Sequence, residues 1–155
     1  MVMAKKTSKK SPAKIKDPAS AVVPCGMKLD LNTALELFLP YPPVSGNNAT
    51  RHAAGAHYRV DAAEAYRLHV LKAVRSAGLC VSLVGPLEIG YQLFPPDNRA
   101  RDEDNALKEI KDALTKAEFW VDDSNKVIRK SVIEWGAPMP ETDGLVIVTA
   151  RGYEP

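Results

Sequence analysis

The sequence predicts an α+β fold, a mixed β-sheet of about five or six strands with two main helices packed on it. Two observations carry this. Apolar residues recur at 3.6-residue spacing after Asp61 and again after Asp104, the mark of two amphipathic helices. Apolar runs at 35–39, 79–84, 87–94, 127–135 and 145–150 are bounded by Gly, Pro and Asp and read as strands. Several of these strands follow one another with no helix between them, which argues against a doubly wound parallel sheet.

The 155 residues and a hydrophobic fraction of 45% suit one soluble domain with a single core. No apolar run approaches the roughly 20 residues that a membrane-spanning helix needs. Two cysteines, Cys25 and Cys80, make no disulfide framework and point to a reducing compartment. Residues 1–28 mix Lys, Ser, Pro and Ala with few large side chains and are expected to be a disordered basic extension, with the domain proper at 29–155. The lysine-rich start has no apolar stretch behind it and is not read as a secretory leader. The net charge of +2 is uneven, because six lysines against Asp17 make residues 1–17 strongly basic and leave the remainder acidic. Such a tail either attracts a phosphate backbone without reading sequence or serves as a solubilising arm.

Leu35–Leu39 reads as the first strand, stopped by Pro40, Pro42 and Pro43. From Val44 to Tyr58 the chain is expected to be a polar loop carrying Asn47, Asn48, Arg51, His52 and His57; it either flanks a DNA site or is simply a surface loop. Asp61 is placed as the N-cap of the first helix, with Glu64 three residues on and Gly78 as the stop. Its inward face is expected to hold Ala62, Ala65, Tyr66, His69, Val70, Ala73, Val74 and Ala77. Two strands follow, 79–84 and 87–94, around Gly85-Pro86. In the segment Pro95–Arg101, Arg99 and Arg101 either face a phosphate backbone or bridge Asp97 and Glu103.

The second helix is expected to turn Leu107, Ile110, Leu114 and Ala117 inward, with Asp104 as its N-cap. Glu118 falls where a glycine would take the left-handed conformation, at a cost of about 1 kcal/mol. Trp120 is read as a core anchor. Lys126, Arg129 and Lys130 form a basic patch close to Asp123, and two strands finish the chain.

The chemistry concentrates at Asp102-Glu103-Asp104-Asn105-Ala106-Leu107-Lys108. In extended chain, residues i and i+2 point the same way, so Asp102 and Asp104 converge just before the helix begins. Lys108 lies one turn on, on the side of Asp104. If the chain returns beside this start after the helix, Asp122 or Asp123 adds a third carboxylate. Oxygen donors with room left for water and phosphate are what Mg²⁺ prefers. The same residues also serve ordinary structure: Asp caps helices, Asp104 and Lys108 form an (i, i+4) pair, and Asp-Asp-Ser-Asn makes a turn.

The run Arg101–Lys108, then Asp112-Ala113-Leu114-Thr115-Lys116-Ala117, then Phe119-Trp120-Val121-Asp122-Asp123 resembles the core of the RusA-type Holliday-junction resolvases. The likeness continues more weakly upstream to Leu37–Pro43 and Asn47-Asn48, and covers about two-thirds of the chain. It departs from the family pattern at Glu118, where glycine is usual, and in extra residues after Pro43. The resemblance implies that Asp102, Asp104 and Asp123 are metal-binding carboxylates and that Lys108 is catalytic or contacts DNA, with Asn105 in support. It implies further DNA contacts from Asn48, Arg51, Arg99, Arg101 and Lys126. It also implies Mg²⁺ (with Mn²⁺ as the substitute), a homodimer, four-way junction DNA as substrate in recombination and repair, no membrane, and a cytoplasmic setting in bacterial or phage-encoded form. Two other functions stay open at this stage: a non-catalytic junction-binding protein of the same fold, and a metal nuclease acting on another branched nucleic acid.

Overall fold

Alternation along Leu87-Glu88-Ile89-Gly90-Tyr91-Gln92-Leu93-Phe94 forces one side of that strand inward, and Leu87, Ile89, Tyr91 and Leu93 are almost wholly buried. The computed structural model describes residues 29–43, 50–53, 56–59, 61–78 and 82–155. In chain order they form β1 (Leu35–Pro40), β2 (Thr50–Ala53), β3 (Ala56–Arg59), α1 (Asp61–Ser76), β4 (Leu87–Phe94), α2 (Glu103–Lys116), β5 (Ile128–Trp135), a 3₁₀ turn (Pro140–Thr142) and β6 (Leu145–Gly152). The expected extension 1–28 lies outside the described residues.

The main sheet has four strands in the order β1-β6-β4-β5, and β2 and β3 pair separately. The fold class is therefore α+β with a mixed sheet and two main helices, and its six strands divide between two sheets. β6 runs antiparallel to both β1 and β4. β4 and β5 are parallel. A parallel pair cannot be joined by a tight turn, so the chain needs a crossover between them, and α2 is that crossover. The acidic motif and Asp123 thus sit at the two ends of one β4-α2-β5 unit.

Two strand readings need correction. The segment 79–84 is not a strand in its described part: Leu83 makes one isolated bridge to Trp120, and residues 79–81 lie outside the described residues. A lone bridge straps the end of α2 to the sheet without adding a strand. The expected loop 44–58 instead contains the β2–β3 hairpin, which pairs Thr50 with Arg59 and His52 with His57. Its four-residue arms are too short and too polar to show the alternation by which a strand is recognised.

α1 covers the expected span and ends at Gly78, whose φ of 78° is the left-handed stop that glycine accepts. Its buried face is Ala63, Tyr66, Val70 and Val74, whereas Ala62, Ala65 and His69 are exposed. Small alanines weigh little in setting a helix's orientation; Tyr66, Val70 and Val74 bury far more area and decide it. α2 buries Ala106, Leu107, Ile110, Ala113 and Leu114, as the spacing predicts, and with α1 and the inner face of the sheet these side chains form one core. The opposite sheet face, with Glu36, Phe38, Gln92, Val132 and Glu134, is open.

The end of α2 follows the expected economy. Glu118 has φ of 61°, so a side chain occupies a conformation suited to glycine. Glu118→Gly is expected to raise stability by up to about 1 kcal/mol, read as a melting temperature roughly 3 °C higher. An unchanged or lowered melting temperature would show that the strain is absent.

Candidate active site

Helix α2 begins at Glu103, and the residue that caps it is Asp102, with extended backbone (φ −90°, ψ 124°). The Asp104 backbone N–H donates to Asp102 Oδ1 at 3.1 Å, and Asn105 Nδ2 donates to Oδ2 at 3.4 Å. The cap is thus two residues earlier than expected, and Asp104 lies in the first turn. Pro95 to Arg101 stays extended or bent, and the first aspartate able to close the open N–H groups takes the role. Asp102 and Asp104 are both exposed at this helix start, where the dipole favours negative groups. Lys108 is exposed one turn further along, and none of the described residues pairs with it. The (i, i+4) pair with Asp104, the alternative open to it in ordinary structure, is not formed, which leaves the ammonium free of partners among the described residues.

The third carboxylate comes from the far end of the crossover. α2 is 14 residues long, about 21 Å at 1.5 Å per residue, and carries the chain away from Asp102. Phe119 N–H then donates to Leu114 O at 3.0 Å and Val121 N–H to Leu83 O at 3.0 Å, which fixes the strap from which Asp122 and Asp123 emerge. Trp120 anchors it: the ring is 1% exposed, its Nε1 donates to Thr115 Oγ1 at 2.8 Å, and it meets Phe119 edge-on at 5.5 Å between centroids.

Asp122 turns inward on its own loop, accepting from the Ser124 N–H at 2.6 Å, and that contact with Ser124 holds its carboxyl below the usual range. Asp123 is exposed and makes no such bond. It is near enough to Tyr91 to add to the rise that burial already imposes on that phenol. Among the described residues no three acids, histidines or cysteines stand together closely enough to hold an ion. Asp102 and Asp104 stand two residues apart at the start of α2, Asp123 follows its far end, and the three do not form one ion-holding group. Two adjacent exposed carboxylates still fit a hard divalent ion, which is commonly bound through one or two carboxylates while water and phosphate complete its shell.

The approach segment is built around Asp97. Arg99 donates through Nε to both of its oxygens, at 3.2 and 3.1 Å, and lies 2.9 Å away through Nη2. Arg101 Nη2 is 2.8 Å from Asp97, and its Nη1 donates to the Asp97 and Arg99 carbonyls. The Arg101 guanidinium also lies 5.6 Å from the centroid of the Tyr41 ring, a cation–π distance. Of the two readings left open for these arginines, the contacts are of the bridging kind, and they go to Asp97 and not to Glu103. Arg99 and then Arg101 hold the Asp97 carboxyl well below the usual carboxylate range. A lowered carboxyl contributes stability above its unfolded pKa, about 4, and loses it as pH falls further. The melting temperature of the wild type is expected to drop more between about pH 4.5 and pH 2 than that of Asp97→Asn. Equal drops would show that the clasp adds nothing.

Beside Asp102 and Asn105 opens a cleft of about 670 Å³, walled by Tyr41, Pro42, Pro96 and Asp143. Sequence reasoning missed Tyr41 and Asp143 as part of this region. The proline run around Tyr41 was legible as a strand stop, but nothing in it signals a wall. Asp143 is placed by Gly144, whose φ of 88° and close approach to Tyr41 Cβ admit no side chain. Glu109, fully buried on α2, was missed as well; with burial, it raises the Tyr66 phenol. Asn48 lies outside the described residues, Arg51 falls in β2, and Lys126 is exposed in the turn after Asp123.

Comparison with known proteins bears on this geometry. Residues 40–143 match the family model described as endodeoxyribonuclease RusA, a span from the end of β1 to the turn before β6. The chain is 40% identical over 106 residues to the crossover junction endodeoxyribonuclease RusA of Escherichia coli K12, covering 68% of this chain and 83% of that one. The enzyme of the same name from Enterobacteria phage 82 is 39% identical over the same length and shares. With the family model spanning the whole acidic motif, α2 and the Trp120 strap, this chain belongs to the RusA family of endodeoxyribonucleases.

Proposed function

We propose that this chain is a divalent-metal-dependent endonuclease that resolves four-way DNA junctions by paired symmetric nicks, acting as a homodimer in the cytoplasm of a bacterium. The observation that carries the reading is the exposed Asp102–Asp104 pair at the start of α2, with Lys108 one turn along and paired with none of the described residues. It stands in a chain similar at 40% identity to crossover junction endodeoxyribonucleases. No described helix is long and apolar enough to cross a membrane.

In this reading Asp102 and Asp104 would hold Mg²⁺, or Mn²⁺ in its place; Asp123, the third carboxylate that the family resemblance implies, stands at the other end of α2. Asp123 is preferred to Asp122 because Asp122 is engaged by Ser124. When bound, the ion polarises a phosphate and lowers the pKa of a water molecule. Asp102 keeps a second task, capping α2, and so fixes the angle at which the pair faces the DNA. Asn105 steadies Asp102 through its amide. Lys108 places a positive charge where negative charge builds on the phosphoryl oxygens or the departing oxygen. Arg99, 79% exposed in its side chain, and Lys126 can reach backbone phosphates, whereas Arg101 shapes the cleft from a half-buried position. The repulsion between Asp102 and Asp104 falls once a cation arrives, so metal and DNA are expected to bind more tightly together than singly.

Lys108→Ala tests the lysine. It is expected to lower kcat on a junction by roughly 10²–10³ with junction affinity changed only severalfold, the pattern of a charge used in the transition state. Equal losses in affinity and in kcat/KM, with kcat intact, would make Lys108 a binding residue and overturn its assigned role.

A further inference from the structure

β5 is an edge strand with one side satisfied and the other open. Gly136 N–H donates to Leu93 O at 2.8 Å, which fixes the phase of the parallel ladder. In such a ladder, alternate residues bond to the neighbour. The even-numbered residues of β5 therefore turn their N–H and C=O toward β4, and Ser131, Ile133 and Trp135 turn theirs to the free edge. The one irregularity lies at the start, between Leu87 and Glu88 of β4, and Lys130–Trp135 is regular. No proline interrupts it. Val132 (43%) and Trp135 (42%) are both exposed. A long, regular edge of this kind is a template for pairing with another chain.

The sequence of that edge is complementary to itself. Two copies related by a two-fold axis perpendicular to the sheet pair antiparallel with like faces on the same side, so only registers that oppose residues of the same face are allowed. Centred on Val132, that rule sets Lys130 opposite Glu134 twice, Val132 opposite Val132, and Ser131 opposite Ile133. The odd-numbered rows then exchange backbone hydrogen bonds, as their free groups require, and the even-numbered rows bring side chains closest. Shifting the centre to Ser131 or Ile133 removes the charge pairing. Within the chain Lys130 pairs with Glu88 at 2.7 Å while its side chain stays 52% exposed, and Glu134 has only a long bond from Gln92 at 3.4 Å.

We propose that the open edge of β5 is the seam at which two copies of this chain join, antiparallel about Val132, into one eight-stranded sheet. The proposal rests on the homodimer reading and names its interface. Because the axis is perpendicular to the sheet, both copies of α1 and α2 lie on the same side of it. The two starts of β5, each following an Asp123 loop, stand roughly 27 Å apart, from eight residues at about 3.4 Å. Two sites then open toward one branched substrate.

Five variants test it by sedimentation, with cross-linking as the direct readout. Lys130→Glu and Glu134→Lys are each expected to weaken self-association at least tenfold, and the double variant to restore it, because the opposite charges meet again. Val132→Cys is expected to form a disulfide between the two copies, identified by mass spectrometry as residue 132 joined to residue 132, while Glu36→Cys on β1 does not. A dimeric wild type with no disulfide between the two residues 132, and with unaltered single variants, overturns the β5 seam and leaves the dimer standing. A wild type that stays monomeric with and without junction DNA overturns both.

Discussion

Replacing Asp104 with asparagine is expected to lower junction cleavage by a factor on the order of 10³ or more while leaving the fold intact. The magnitude follows from the several kcal/mol that a correctly held metal contributes, at 1.36 kcal/mol per tenfold in rate. The side chain is exposed, accepts no capping bond and touches no core group, so the melting temperature should move by about a degree. Asp102→Asn is the informative partner. Asparagine caps a helix about as well as aspartate, so the charge is lost and the cap kept. The same loss of cleavage is expected there, whereas Asp102→Ala adds about 1 kcal/mol of destabilisation from the missing cap. Single-turnover rates and melting curves on the three variants check this. Activity within tenfold of wild type in Asp104→Asn would remove the carboxylate pair from the reaction.

The largest effect on stability is expected at Trp120. Truncation to alanine vacates the largest fully buried side chain, ends the bond from its Nε1 to Thr115 Oγ1 and takes away the ring that Phe119 meets edge-on. Large aromatic-to-alanine changes in cores cost about 3–5 kcal/mol. For a domain of this size that is a fall in melting temperature on the order of 10 °C or more. If Asp123 has the proposed role, the damage is expected to reach function too, because Trp120 anchors the strap that carries it. Trp120→Phe, which keeps much of the volume but not the bond, should lose less than half as much. A melting temperature within a few degrees of wild type in Trp120→Ala would contradict the anchoring role.

How much of this was legible in the sequence depends on what each residue had to compete with. The alternation of β4 and the period of α2 are strong because a buried Leu or Ile on the wrong face costs more than any local preference. Trp120 was legible as a core anchor for the same reason. The face of α1 was harder to read, since alanine is nearly indifferent to burial and the pattern around residues 62–65 is alanine-rich. The β2–β3 hairpin left almost no signal. Its arms are four residues long, and their pairing rests on backbone hydrogen bonds that any side chain permits.

At the site, the spacing of Asp102, Asp104 and Lys108 fixes their neighbourhood, because a helix start is local. Which aspartate caps was not legible, since either satisfies the same open N–H groups. The position of Asp123 relative to the pair is not local at all. It depends on the length of α2, the Leu83 bridge and the Trp120 anchor together. Arg99 and Arg101 read from sequence either as phosphate contacts or as a bridge to Asp97 and Glu103, and only the fold shows that Asp97 collects both.

The most direct test of the central claim is cleavage of a labelled four-way junction beside a matched linear duplex, with Mg²⁺ and with EDTA. Symmetric nicks on two opposing strands of the junction alone, abolished by EDTA and by Asp104→Asn, are the expected result. Binding of the junction without any cut, in Mg²⁺ and in Mn²⁺, would contradict it and leave a junction-binding protein. Equal cutting of the linear duplex would keep the carboxylate site and overturn the choice of substrate.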